Sequence, residues 1–417
     1  MSLTIDNSIP VVVLRSGHHG GLGIVRSLGR LGVPVYCVDS DWWEAAFASR
    51  YCRGRFLLDV ESEPVETALT HLRTIARKVG GRPILMPTTD RTCIWVAEND
   101  RELRQDFGLP LQDAALVHTL CDKARMQQLA AQNGVATARS IAPRSNEEIA
   151  GFLEGAEFPL MVKETGGGRL RSRAGASKLI VETRPELLAL CARAADFENP
   201  NLIIQEFIPG DDWMFDGYFD AHSDCLFGMT GKKIRRFPVR TGVTSLGICL
   251  PNEAVFHTTT RFMRAIGYRG ILDIGYRRDS RDGSYKVLDA NPRIGCTFRL
   301  FAAPGLDVAR ALYLDLTGQP VPSASPAMGR KWLVEDFDFV SALRLWKEGS
   351  LSPKDWLRSF SGVEEAACFA MDDPLPFLIM GLTDCCELLH WSRGKATVRR
   401  QSREVAPALP LVSQRRS

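Results

Sequence analysis

The hydrophobic pattern opens with a short β-branched run at 9–14, then glycines at 17, 20, 21 and 23, then apolar residues at helical spacing, Ile24, Leu28 and Leu31. This order predicts a strand, a glycine turn and a helix. A second strand at 35–38 ends in Asp39, and a third at 83–86 precedes Pro87-Thr88-Thr89-Asp90. Strands alternating with helical stretches imply a parallel α/β sheet up to about residue 115. Residues 123–132 have a helix-forming composition that stops at Asn133-Gly134. An apolar strand at 158–163 then runs into 166–178, which is both glycine-rich and basic and predicts an anion-seeking loop. Further strands are expected at 202–204, 213–219, 247–250, 271–276 and 285–288, with Asp282-Gly283 turning the last two into an antiparallel hairpin. Beyond a Pro/Ser-rich break at 319–327 the pattern is less legible, and the chain shows no internal repeat.

Composition narrows the class. Of 417 residues, 45% are hydrophobic and 24% charged, which is ordinary for a globular protein. Lys and Arg total 52 against 49 Asp and Glu, with no long block of one sign, so no nucleic-acid partner is indicated. Eleven cysteines without a C-x-x-C pair, and no secretory leader ahead of them, point to the reducing cytoplasm. The apolar run 375–382 is far shorter than the ~20 residues that span a bilayer, and Asp384 interrupts it, so no stable membrane insertion is expected. That run and Trp332, Trp346, Trp356 and Trp391 are open to three readings: core and substrate pocket, a homodimer surface, or contact with lipid. Vicinal Cys385-Cys386 reads as two half-buried thiols on one helix or as a redox pair.

The glycine turn fails the G-x-G-x-x-G register, since Arg26 stands where a third glycine would fall, and no Walker A motif occurs. Nucleotide binding therefore needs another architecture. Lys163 at a strand end, the basic glycine loop 166–178 and the later strand 202–208 supply one: the loop can fold over phosphates while the strand end offers backbone groups to a purine. Asp273 and Asp289 sit in apolar strands that tolerate an unpaired carboxylate poorly. Paired through the turn, they can face one another, with Asn291 on the same side as Asp289. Two carboxylates and an amide oxygen suit Mg²⁺, and Arg293 can offset charge on a phosphoryl group or a substrate carboxylate. The alternative is an Asp289–Arg293 ion pair with Asp273 capping a turn. The seven histidines lack metal spacing, there is no Ser/His/Asp motif, and His18-His19 is either solvated or close to the substrate.

Taken in order, these pieces resemble the ATP-grasp superfamily across residues 1 to about 315. The stretches 15–29 and 288–295 look most like carboxylate-amine ligases near D-aspartate ligase and the large subunit of carbamoyl-phosphate synthetase. The resemblance implies an α/β fold in four parts: a Rossmann-like 1–118, a small lobe 119–206 with the phosphate loop, a large lobe 207–318 with the metal site, and an extension 319–417. It implies activation of a carboxylate as an acyl phosphate by ATP with Mg²⁺, or Mn²⁺ in its place, and transfer to an amine, both substrates being small molecules. The alternatives are a carboxylase-type variant with a different acceptor and a non-catalytic, regulatory nucleotide-binding protein of the same fold. Lys123 and Lys163 match the lysines that contact ATP phosphates, and Gly167, Gly168, Ser177 and Lys178 belong to the phosphate-covering loop. Gln205, Glu206, Phe207 and Ile208 match the adenine hinge, and Asp212 stands where relatives carry a ribose ligand. Asp273, Asp289 and Asn291 match the metal ligands, although many members have Glu for the two aspartates. Arg293 matches the arginine near the reacting phosphate. Lys232, Lys233, Arg235, Arg236 and Arg240 form a basic stretch that reads by itself as a solvated loop; by resemblance it borders the acceptor site, with Arg235 and Arg240 touching substrate.

Overall fold

The computed structural model describes residues 5–165, 169–325 and 327–392, with backbone alone for Arg169 and for 384–392. Three sheets organise it. The first is parallel: β1 (Val11–Leu14), β2 (Val35–Asp39), β3 (Cys52–Leu57) and β4 (Ile84–Pro87) lie in the order β3-β2-β1-β4. The β1 side chains are all buried, as expected of a central parallel strand covered on both faces. The helix His19–Gly29 comes directly after β1, its first turn capped by the His18 ring, which accepts from the Gly20 N–H.

The second sheet is small and antiparallel: β5 (Ser140–Ile141), β6 (Leu160–Glu164), β7 (Lys178–Val181) and β8 (Leu202–Glu206), in the order β5-β8-β6-β7. Between β6 and β7 the chain forms a short helix, Arg169–Ala174, where the sequence predicted only loop; Leu170 is fully buried and Glu164 Oε1 accepts the Leu170 N–H at 2.9 Å.

The third sheet has seven strands: β9 (Gly210–Phe219), β10 (Cys225–Phe237), β11 (Val243–Cys249), β12 (Gly270–Asp279), β13 (Tyr285–Asn291), β14 (Lys331–Leu333) and β15 (Val363–Ala366). Their order is β13-β12-β9-β10-β11-β14-β15. Alternation along β9 divides its two faces. Phe215 and Phe219 pack with Val255, Phe262 and Met263 of the helix Glu253–Ala265, while Met214 and Tyr218 join the core shared with the N-terminal sheet. The expected β12–β13 hairpin is present. Of the stretch read as a basic loop, Lys232, Lys233, Arg235 and Arg236 instead form the end of β10 and only Arg240 lies in the turn after it, and residues beyond 319 add β14 and β15 to the large sheet.

Candidate active site

One cleft lies between the small and large sheets. Its apolar wall is built from Met161, Phe207, Ile208, Trp213 and Leu288, and its polar wall from Lys163, Lys178, Lys233, Gln205, Asp212 and Asp289. Lys163 and Lys178 are direct cross-strand partners, which places two ammonium groups on one face, an arrangement that costs energy until an anion joins it. Lys163 is buried, and burial first, then repulsion from Lys178, pushes its pKa down to about 7. Lys123 heads the helix Lys123–Gln132 and donates to the Glu164 carbonyl at 3.2 Å. Burial raises the Asp289 carboxyl, but Lys178, Lys233, Lys163 and Lys123 more than offset this and hold it below the usual range. The Gln205 side-chain N–H₂ is buried in the cleft wall without a hydrogen-bond partner among the described residues. Four converging lysines and an unsatisfied amide donor fit a polyphosphate carrying a base with acceptor nitrogens.

Several expected contacts are otherwise engaged. Glu206 pairs with Lys286 at 3.0 Å and Arg281 at 3.4 Å, which commits its side chain to the β12–β13 hairpin. Asp212 is held by Arg277 at 2.5 Å and Arg236 at 2.9 Å, so both carboxylate oxygens are engaged by arginine at the cleft wall. Ser177 accepts the Glu164 N–H through its carbonyl, and its side chain does not line the cleft. Gly167 and Gly168 lie outside the described residues.

Arg235 is not brought to the cleft either. A bulge between Lys233 and Arg235 reverses the alternation: Lys233 pairs with Gly247 but Arg235 with Leu246. Lys233 consequently faces Asp289, and Arg235 turns to the other side, where it grips Asp338 of the helix Glu335–Lys347 at 2.7 and 2.9 Å. Ser245 and the Trp356 indole complete that carboxylate's bonds. The buried Arg235 is thus a structural ion pair rather than a substrate contact. Arg240 is exposed in the β10–β11 turn, next to Thr241 and Gly242 of the cleft wall, and its carbonyl accepts from Arg236.

The carboxylates are offset, not face to face. Asp273 lies opposite Asn291, whose amide donates to it at 3.2 Å, and Asp289 lies opposite Gly275. All three side chains share one face, and glycine is required beneath both acids: a Cβ at Gly275 would collide with the Asp289 carboxylate, and one at Gly295 with that of Asp273. Burial pushes Asp273 up to about 6. Among the described residues no cluster of three His, Cys, Asp or Glu side chains could by itself cage a metal. Two carboxylates and an amide fit Mg²⁺, which binds through one or two protein acids and completes its shell with phosphate and water. The sequence reading missed Asp216, the cross-strand neighbour of Asp273 on β9: it is fully buried, neither oxygen has a hydrogen-bond partner among the described residues, and desolvation, then repulsion from Asp273, raises its pKa well above normal.

A second cavity opens beside the β12–β13 hairpin. Arg15, Ser16, His18, His19, Thr88 and Thr89 form one wall at the C-terminal ends of β1 and β4, as expected for an α/β ligand site. Arg293, Cys296 and Thr297 form the floor, and Trp332, Phe337 and Met380 close the far side. Arg293 donates to Asp90 at 2.6 Å, so it is not paired with Asp289. Residues beyond 319 therefore complete this cavity.

No protein-family model matches the chain. Over 331 residues it is 25% identical to the D-aspartate ligase of Enterococcus faecium, covering 76% of this chain and 78% of that one. An ADP complex of N5-carboxyaminoimidazole synthetase from Staphylococcus aureus superposes with a TM-score of 0.60 at 14% identity, covering 78% of this chain and 82% of that one. The L-amino acid ligase of Bacillus licheniformis gives 0.58 at 17%, with 78% and 79% covered. A biotin carboxylase domain from Hydrogenobacter thermophilus, bound to ADP, Mg²⁺ and bicarbonate, gives 0.56 at 16%, with 77% and 72% covered. The fold is the ATP-grasp fold that these structures share. In sequence the chain is similar to a D-aspartate ligase, and the solved structures of like fold include an L-amino acid ligase.

Proposed function

We propose that the chain uses ATP to phosphorylate an amino-acid carboxylate and couples the resulting acyl phosphate to an amine, releasing ADP and phosphate. The observation that carries this reading is the convergence of Lys123, Lys163, Lys178 and Lys233 on Asp289, in a cleft that adjoins a cavity floored by Arg293. In it, Met161, Phe207 and Leu288 hold the base, Gln205 donates to it, and the lysines take the phosphates. Asp289, Asn291 and Asp273 would hold Mg²⁺, which would offset phosphate charge when bound. Arg293 orients the substrate carboxylate for in-line attack, and closure of the two lobes excludes the water that would hydrolyse the acyl phosphate.

An amino acid suits the second cavity, because Arg15, Arg91 and Arg293 are matched there by Asp41, Glu44 and Glu61, giving both signs of charge to a zwitterion. The name of the enterococcal relative agrees with an amino-acid substrate. Boundaries near 118, 206 and 318 divide the proposed functional units, and the cytoplasm is the proposed compartment, in keeping with nine free cysteines among the described residues.

Hydroxylamine tests the acyl phosphate without knowledge of the natural amine. With ATP, Mg²⁺ and the correct acid, the enzyme should yield the acid's hydroxamate with one ADP per product, and Asp289→Ala should yield neither. Hydroxamate formation by Asp289→Ala at the wild-type rate would overturn the site.

A further inference from the structure

His18 and Cys296, 278 positions apart in the chain, come together in the second cavity. The His18 Nε2 lies 2.8 Å from the Thr88 carbonyl, which can only accept, so Nε2 carries the ring proton. Nδ1 is therefore the basic nitrogen, and it faces the Cys296 sulfur at 3.6 Å while also accepting the Gly20 N–H at 3.3 Å. This is the arrangement in which a thiol passes its proton to imidazole. Both residues line the cavity and both are only half-buried, so a small reagent can reach the sulfur. The close approach depends on Gly20, where a Cβ would press on the Gly295 carbonyl and the His18 ring.

The surrounding charges are mixed. Arg293 favours the thiolate and opposes the imidazolium; Asp273 opposes the thiolate; Asp39, itself paired with Arg15, favours the imidazolium. Burial works to raise the Cys296 thiol, yet His18 and Arg293 hold it below the ordinary value. Of the other half-buried thiols, burial leaves Cys121 and Cys225 well above it, while Cys52 is lowered first by its hydrogen bond with the Cys37 thiol rather than by an imidazole.

We propose that His18 and Cys296 form a thiolate–imidazolium pair that is a covalent modification site for low-molecular-weight disulfides and other soft electrophiles. The Cys296 thiolate attacks one sulfur of the disulfide, the S–S bond breaks, a mixed disulfide forms, and the departing thiolate takes up the proton held by His18. The adduct occupies the cavity beside Arg293. The chemistry at sulfur does not depend on the ligase reading.

The test is iodoacetamide alkylation of the full-length protein across pH 6 to 9, mapped by peptide mass spectrometry, with Cys121 and Cys225 as internal references. Cys296 should react at pH 6, where the references are nearly silent. His18→Asn, which keeps an N-cap oxygen for Gly20, should slow Cys296 by about tenfold or more and leave the references unchanged. Glutathione disulfide should give a Cys296 adduct that dithiothreitol removes. A Cys296 rate that tracks the reference pH profile, an undiminished rate in His18→Asn, or glutathione found only at other cysteines would each overturn the proposal.

Discussion

The ammonium of Lys163 is the clearest case of a residue placed against its own preference. Its pKa falls from 10.5 to about 7, so between those values the unfolded chain binds a proton that the folded chain lacks. Stability from this group therefore rises with pH across that window and is flat below about pH 7, where both states are charged. Phosphates in the cleft reverse the penalty. At pH 8, nucleotide binding should take up about one proton, seen in calorimetry as an enthalpy that depends on the buffer's ionisation heat, and Lys163→Met should abolish the uptake. Equal enthalpies in all buffers would contradict it. Arg235 gives the opposite expectation. Because it pairs with buried Asp338, Arg235→Ala should destabilise the chain by about 3–5 kcal/mol in thermal or denaturant unfolding while leaving nucleotide affinity unchanged; weaker nucleotide binding in a folded variant would return Arg235 to the site. Lys163 and Asp289 stood out in the sequence because a charged residue in an apolar strand is conspicuous, and Asn291 because strand alternation puts it on the same side as Asp289. Lys233 and Arg235 were not separable, since nothing in a run of basic residues announces the bulge that sends them to opposite faces.

At the level of elements, the β12–β13 hairpin does most to assemble the site. Its turn was readable from Asp282-Gly283, but its register was not: pairing places Asp289 over a glycine rather than over Asp273. That glycine is a requirement of the site more than of the fold. A methyl at Gly275 meets the movable end of the Asp289 side chain, so Gly275→Ala should fold with a near-normal melting temperature and lose most turnover. Gly210 differs, because a Cβ there strikes the Arg278 backbone carbonyl and its φ is +126°, so Gly210→Ala should reduce soluble, folded protein. Parallel measurement of melting temperature and ADP release separates the two, and identical behaviour of the variants would contradict the distinction. Asp216, buried beside Asp273, lay inside the expected strand 213–219 and carried the same signal of an acid among apolar residues, but no partner on a paired strand singled it out before the β9–β12 register was known.

Across the whole molecule, the segment beyond residue 319 is tied to the N-terminal unit. Arg26, which stands where a dinucleotide fold would carry glycine, donates to Asp373 at 2.9 Å and to the Cys368 and Asp373 carbonyls at 2.7 and 2.8 Å, all buried. Arg26→Ala leaves the Asp373 carboxylate without its cation and should cost about 3–5 kcal/mol, lowering the melting temperature by several degrees; an unchanged transition would contradict this coupling. The long-range pairing was unreadable because its partners lie 347 residues apart. No helix among the described residues is long and apolar enough to cross a membrane. Leu375, Leu378 and Leu382 nevertheless present apolar side chains at the surface, while Met380 on the same helix closes the second cavity.

In the proposed reaction a lysine-lined nucleotide cleft acts on a carboxylate held in the adjoining cavity. It is tested most directly by ADP release from the purified chain with Mg²⁺ and ATP across amino acids, singly and in pairs, with mass spectrometry of the products. ADP should appear only with a particular acid and amine, together with a product one water lighter than their sum. ADP release that is indifferent to the amino acids, or nucleotide binding with no condensed product from any pair, would contradict it.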